Sequence, residues 1–365
     1  MSQYILILIW IAFFVIIGSG IRMYRTEIIQ NKKIMTMKPI WAFILVFPLV
    51  IWTANREYIG DTYSYIRMYS ELPGSVNGIF SYMQGIEKDK GFYFVSAVIK
   101  GIIGDNVNIY FFIIALFQIY LLIRLYRKYS TKIVLSFFLF IASTDYLSWM
   151  FNGVRQFVAV TITLFAFEFI LNKKYAKAII IIFIASLFHQ SALLVLPFVF
   201  VVQGKAWNRK TLLFIILIIL AVSYVEQFTG ILDSMLQETQ YENVVSDWQM
   251  WEDDGTNIIR VLVYSVPTVL SLIGLRYIRK ENNAVINICT NMSIVSTGLY
   301  VISAFTSGIF MGRLPIYFSL YGYILLPWEI EYMFEKKSAK IVNLSMIALY
   351  LAFYFYQIKF TWGLI

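Results

Sequence analysis

Apolar residues along the chain gather in runs of roughly 14 to 20, close to the length a helix needs to cross about 30 Å of hydrocarbon. Tyr4 to Ile21, Leu212 to Val225 and Val261 to Leu275 are examples. The runs are continuous and do not alternate, so they predict helices. Strands of a membrane barrel would show one lipid face and one lumen face. Twelve spans are predicted, at 4–21, 39–54, 107–123, 133–149, 154–171, 175–188, 190–202, 211–225, 258–275, 284–304, 312–328 and 341–358. A further segment near 91–103 is shorter and carries Lys100, and reads as an interfacial or re-entrant helix. The spans at 175–188 and 190–202 are also short and suggest a tilted, partly re-entrant hairpin around His189. The expected fold is an all-α polytopic transmembrane bundle, with residues 1–365 forming a single integral membrane domain. The first apolar run has neither a preceding basic residue nor a following small-residue cleavage site, and reads as a retained span.

The basic residues between the runs give the expected sidedness, because loops rich in Lys and Arg stay in the cytoplasm. Six alternate connections, from Arg22–Lys38 through Arg124–Lys132 to Lys336–Lys340, hold 21 of the 30 basic residues. Both termini are therefore predicted outside. Two outer segments are long. The first, 55–90, is mixed in charge and rich in Tyr, Ser and Gly; the second, 226–257, has eight acids and no Lys or Arg. Loops of such length are commonly functional or mobile.

Composition agrees with a bilayer as solvent: 60% of residues are hydrophobic and 14% charged, against about 25% charged in soluble domains. The net charge of +9 sits in short clusters between spans, which argues against nucleic-acid binding. The lone Cys289 forms no internal disulfide and reads as packing. The sequence has no Walker-type phosphate loop, H-E-x-x-H pattern, nucleophile elbow or cysteine cluster. No cofactor is expected. Glu252, Asp253 and Asp254 form an acidic run that reads as a solvated face, and no metal is expected.

Candidate chemistry therefore lies in polar residues beside the hydrocarbon, where burial is costly without a role or partner. The predicted topology puts most of them at the outer face. They are Arg56, Asp61 and Arg67 after the second span, Asp145, Asn152, Arg155 and Gln156 between the fourth and fifth, His189 and Gln190 between the sixth and seventh, and Arg313 between the tenth and eleventh. Each has a blander alternative. His189, the one histidine, is either a hydrogen-bonded helix end or a group able to exchange a proton near neutral pH. Arg155 and Arg313 either snorkel to headgroups or use the guanidinium fork on a phosphate. Asp61, in Gly60-Asp61-Thr62, suits a turn or helix cap. Arg56 and Arg67 read equally as solvated loop charges. Glu168 is expected to pair with neighbouring inner-face bases and is given no functional role. Trp248 and Trp251 offer sugar-stacking surfaces or an interfacial aromatic belt.

Several of these pieces together resemble the EpsG family, a branch of the Wzy-type bacterial polysaccharide polymerases. The pieces are Gly60-Asp61-Thr62 with Tyr65, Lys90-Gly91-Phe92-Tyr93, Asn152-Gly153-Val154-Arg155-Gln156 with Ala159, Phe188-His189-Gln190-Ser191-Ala192-Leu193, and Gly312-Arg313 followed by Tyr317-Phe318. Gln190 stands where such proteins commonly have Lys. The resemblance implies glycosyl transfer between undecaprenyl-diphosphate-linked oligosaccharide repeats, which serve as donor and acceptor, at the outer face of the bacterial plasma membrane. It implies O-antigen, capsule or exopolysaccharide synthesis, with a chain-length regulator and a flippase as partners. In that reading Arg155, Arg313 and Gln156 bind the diphosphate. His189 or Asp61 acts as catalytic base, and Arg56, Arg67, Tyr65, Asn152 and Gln190 are candidate acceptor or sugar contacts. A transporter or flippase of lipid-linked sugars, and a membrane ligase or acyltransferase, are the alternatives. The spans carry few mid-membrane charges, which disfavours ion-coupled transport.

Overall fold

The computed structural model describes residues 3–18, 21–29, 32–235 and 255–365. Trp248, Trp251 and the acids Glu252, Asp253 and Asp254 lie outside them. The protein is mostly α-helical, and among the described residues four helices are long and apolar enough to cross a membrane. The number rises to seven if each of three sharply bent helix pairs is one span. Large apolar side chains stand exposed on these and neighbouring helices, among them Ile16, Leu213, Leu262 and Leu349 at 56–70%. Each would gain roughly 1.5–3 kcal/mol by leaving water. A lipid environment supplies that gain without any protein partner.

The chain forms two compact units. The first holds α1 (Gln3–Gly18), a β-hairpin of β1 (Tyr24–Ile29) and β2 (Lys32–Met37), α2 (Pro39–Ala54), α3 (Thr62–Glu71), α4 (Val76–Gln84), α5 (Lys90–Ile103), α6 (Val107–Tyr129), α7 (Ile133–Ala142), α8 (Val154–Leu171) and α9 (Tyr175–Ser186). Residues 340–365, most of α18 (Lys336–Tyr356) with its π-helical end, return to this unit. α2 packs along α6 and beside α1, where the Trp10 indole donates to the Leu45 carbonyl at 2.9 Å. Tyr354 of α18 donates to the Tyr4 carbonyl at 2.8 Å and meets the Tyr146 hydroxyl at 3.0 Å, drawing the chain's two ends together.

The second unit holds residues 170–173, at the end of α8, and 194–339, comprising α10 (Val195–Val201), α11 (Arg209–Ser223), α12 (Val225–Met235), α13 (Ile258–Ile273), α14 (Leu275–Glu281), α15 (Ala284–Ala304), α16 (Ile316–Ser319), α17 (Gly322–Met333) and the start of α18. α15 is its central post, touching α11, α13, α16 and α17. Asparagines carry much of the local order. Asn208, Asn257 and Asn283 cap the first turns of α11, α13 and α15, satisfying amides that have no intrahelical partner. Inside α15, Asn287 accepts from the Ala206 amide and Asn291 from the Trp207 amide, each at 3.1 Å, which fixes the turn before α11.

Several elements depart from the run-length reading. The basic 22–38 connection is not irregular: it pairs Tyr24 with Met37 through Ile29 with Lys32 as an antiparallel hairpin. The helix near 91–103 forms as α5, and Lys100 is buried, its ammonium held by the Tyr69 and Ser70 carbonyls at the end of α3 and by Asp105 at 3.2 Å. The run at 133–149 bends by 72° between α7 and a π-helical turn, Tyr146–Asn152. α11 turns 102° into α12, and α13 turns 69° into α14. The run at 312–328 is divided into a 3₁₀ turn (Met311–Arg313), α16 and α17. Hydropathy alone does not register such breaks. Pro315 lacks the amide a continuous helix needs before α16.

At the α7 break, Thr144 adopts φ 62, which is strained for a β-branched residue, and its hydroxyl is buried without a hydrogen-bond partner. Such conformations cost on the order of 1–3 kcal/mol. Thr144→Gly is therefore expected to raise Tm by about 2 °C or more, while Thr144→Val gives no gain. Thermal unfolding of the purified variants checks this, and a lower Tm for Thr144→Gly would show that the hydroxyl contributes more than the backbone strain removes.

Candidate functional site

Three of the four polar connections singled out in the sequence belong to the first unit, and the structure brings them together. The break after α7 delivers the chain to Asn152, Gly153 and the first turn of α8, where the Val154 carbonyl accepts from Gln118 of α6 at 3.1 Å. Arg155 follows, its side chain 37% exposed. Its guanidinium donates to Asp89 Oδ2 at 3.0 Å and to the Tyr93 hydroxyl at 3.4 Å, and its backbone amide donates to the Tyr65 hydroxyl at 3.3 Å. Tyr65 is buried and packs edge-on against Phe92.

Asp89 is the hub of this arrangement. Its side chain is 6% exposed, and its backbone turns at φ 51 to start α5. The carboxylate takes Arg155 from the α8 side and the Gln190 backbone amide from the His189 corner. Burial pushes its carboxyl above the ordinary range, although Arg155, the Gln190 amide and Lys88 pull the other way. Asp89 was not among the sequence candidates. Its setting, Glu87-Lys88-Asp89-Lys90, reads as a solvated charge run.

Two glycines permit the close approach. Gly91 donates its amide to the Leu187 carbonyl at 2.8 Å, and a Cβ at residue 91 would lie 2.9 Å from Leu187 Cβ. Gly60, at φ +54, sits where a Cβ would lie 2.7 Å from Asn152 Oδ1; the same oxygen accepts from the Asp61 amide at 3.1 Å. The corner thus sits on α5, and the loop after α2 on the π-helical turn.

The remaining candidates fall in distinct settings. Asp61 occupies the cap position of α3, yet its exposed side chain makes no cap hydrogen bond, so the cap reading fails. His189 is half-buried, with Nδ1 2.7 Å from the Ser191 hydroxyl. The Ser191 backbone amide donates to the same Nδ1 at 3.4 Å, so in the neutral ring Nδ1 is the acceptor and Nε2 carries the proton. Gln190 is exposed at the start of a 3₁₀ turn. Gln156 is 3% exposed, so a ligand reaches it only if the surrounding packing moves. Arg56 is a strut, not a loop charge: it donates to the Thr53 and Met150 carbonyls at 2.8 Å, with its guanidinium 4.0 Å from the Phe111 ring centroid. Arg67 is the solvated charge, paired with Glu71 at 2.9 Å on α3. Arg313 belongs to the second unit, exposed on the 3₁₀ turn Met311–Arg313.

The sequence model of one family, described as the EpsG family, matches residues 39–362. The chain belongs to the EpsG family. Comparison with curated proteins and with solved structures returns no match. EpsG proteins form a polysaccharide polymerase-like family, which agrees with a multi-pass membrane protein engaged in polysaccharide synthesis. All four segments that tie the Asp89 hub together, near residues 60, 90, 152 and 189, fall inside the matched region.

If Asp89 orders the His189 corner, Asp89→Ala should raise amide hydrogen exchange at Gln190 by tenfold or more while exchange within α6 stays constant. Gly91→Ala should lower Tm, because Leu187 must shift to admit the methyl group. Unchanged exchange at Gln190 in Asp89→Ala would show that the corner holds itself.

Proposed function

We propose that this EpsG protein is a polymerase that joins undecaprenyl-diphosphate-linked oligosaccharide repeats at the outer face of the bacterial plasma membrane. The proposal includes about twelve spans with both termini outside. The observation that carries it is Arg155, a partly exposed guanidinium at the start of a membrane-length helix, paired with the buried Asp89, whose carboxylate also meets the backbone next to the chain's one histidine. Family membership supports a polymerase-like reaction, and the gathering of these connections supports the choice of site.

In the proposed reaction an acceptor sugar hydroxyl attacks the anomeric carbon of the donor. A new carbon–oxygen glycosidic bond forms as the bond from that carbon to the lipid diphosphate breaks. The bonding electron pair departs on the diphosphate, and the hydroxyl proton passes to a base. Arg155 stabilises the departing charge through the planar fork that suits phosphate oxygens. His189 or Asp61 takes the proton. Tyr93 and Tyr65 orient the guanidinium and the start of α8, while Asn152 and Gln190 border the acceptor side. Arg313 is a separate candidate diphosphate ligand, tested by its own alanine variant.

Cells whose own gene is replaced by Arg155→Ala should make single repeats instead of a polymer ladder, with normal membrane abundance. Arg155→Lys should restore little, because an ammonium lacks the fork. A full ladder in Arg155→Ala would remove the diphosphate role. His189→Ala and Asp61→Asn, assayed in parallel, identify the base by which one loses the ladder. Purified protein given lipid-linked repeats alone decides the reaction class. A ladder supports a polymerase, a product only with a second acceptor points to a ligase, and no new bond points to a transporter.

A further inference from the structure

Away from the proposed reaction site, the first unit contains a groove of about 670 Å³ between α2 and α6, within the range of roughly 300–1,000 Å³ common for ligand pockets. Its walls are apolar along their length, from Ala42 and Val46 on α2 to Leu116 and Ile119 on α6. Phe43 and Phe117 also line it and are 40% and 41% exposed. Arg124 and Arg127, near the carboxyl end of α6, are the charged residues in its lining.

The charges at that end do not balance. Arg127 donates to Glu27 Oε1 at 3.0 Å and to the Met37 carbonyl at 3.2 Å, so the β-hairpin forms part of the rim. Arg25 shares the same Glu27 carboxylate. Burial raises the Glu27 carboxyl, but its bonds from Arg127 and Arg25 bring it down to about 2, so Glu27 is ionised at neutral pH. Glu168 in turn is shared by Lys128 at 2.8 Å and Arg124 at 3.5 Å, in line with the pairing expected from sequence. Four cations thus share two carboxylates, leaving two positive charges beside the groove. Arg124 stays one-third exposed, its guanidinium 4.6 Å from the Phe165 ring centroid.

We propose that this groove binds one anionic bilayer phospholipid, with an acyl chain between α2 and α6 and the headgroup phosphate on Arg124 and Arg127. The apolar length selects a lipid over a soluble anion, and the surplus charge selects an anionic headgroup over a zwitterionic one. Bound in this way, the lipid offsets part of the surplus charge at the joint between α6 and the β-hairpin and stabilises the folded unit by mass action.

The test uses the full chain in phosphatidylcholine nanodiscs, titrated with phosphatidylglycerol and followed by Tm and by native mass spectrometry of retained lipid. Phosphatidylglycerol should raise Tm and remain bound, and the effect should weaken at high salt. Arg124→Gln should weaken retention at least tenfold without changing Tm in phosphatidylcholine alone. Leu116→Trp, which fills the groove from a half-buried position, should abolish retention. If Leu116→Trp fails to fold, Arg124→Gln decides alone. Equal effects of phosphatidylcholine and phosphatidylglycerol would overturn the headgroup assignment. Retention unaffected by Arg124→Gln would place the lipid elsewhere. Displacement of phosphatidylglycerol by an equimolar amount of undecaprenyl diphosphate would assign the groove to a lipid-linked substrate instead.

Discussion

A carboxylate withdrawn from water must find cationic or amide partners, and the needs of Asp89 bear on where three polar connections of the first unit lie. Arg155 and the Gln190 amide both come to it, from α8 and from the corner after α9. Neither approach is available to an arbitrary backbone. The left-handed turn at Asp89 aims the start of α5, and Gly91 lets the Leu187 carbonyl close on it. On the far side, the π-helical turn before α8 places Asn152 against Gly60. The ion pair, the two glycines and the helix break therefore act as one constraint.

The second unit solves a related problem with neutral groups. Breaks between its helices leave backbone amides without helical partners, and a bilayer supplies no water to satisfy them. Asn287 and Asn291 on the buried post α15 accept from two successive amides of the preceding turn, while Asn291 also donates to the Val202 carbonyl at 2.9 Å. Asn152 does the same for Asp61 in the first unit. In both places an amide side chain replaces the hydrogen bond that an uninterrupted helix would have made, which allows irregular chain to persist among apolar elements.

Much of this order was legible in the sequence wherever a long apolar run coincided with one straight helix. The expected spans 154–171 and 284–304 match α8 and α15 residue for residue. The bends were not legible, because the same run has the same hydropathy whether straight or broken; the 72° turn at residues 143–145 lies in backbone geometry at Thr144. The hairpin at 24–37 escaped notice because charged residues interrupt its alternation. Asp89 and Arg56 looked like solvated charges. Their roles come from residues far along the chain, Arg155 for one and the Met150 carbonyl and Phe111 ring for the other, and no local pattern encodes such partners. The apparent Gly-Asp-Thr cap failed for the opposite reason: the local pattern was right, but the Asp61 side chain is not used to cap.

Arg155 comes with a resident counter-ion. An incoming anion meets a guanidinium already neutralised by Asp89 and has to exchange with it, so part of the attraction is cancelled before contact. The same carboxylate is at hand when the anion departs and competes for the vacated donors. Exchange of this kind lowers affinity and speeds release. For a membrane enzyme that handled one lipid diphosphate after another, the role proposed for this chain, such a built-in competitor would keep the spent carrier from remaining as its own inhibitor.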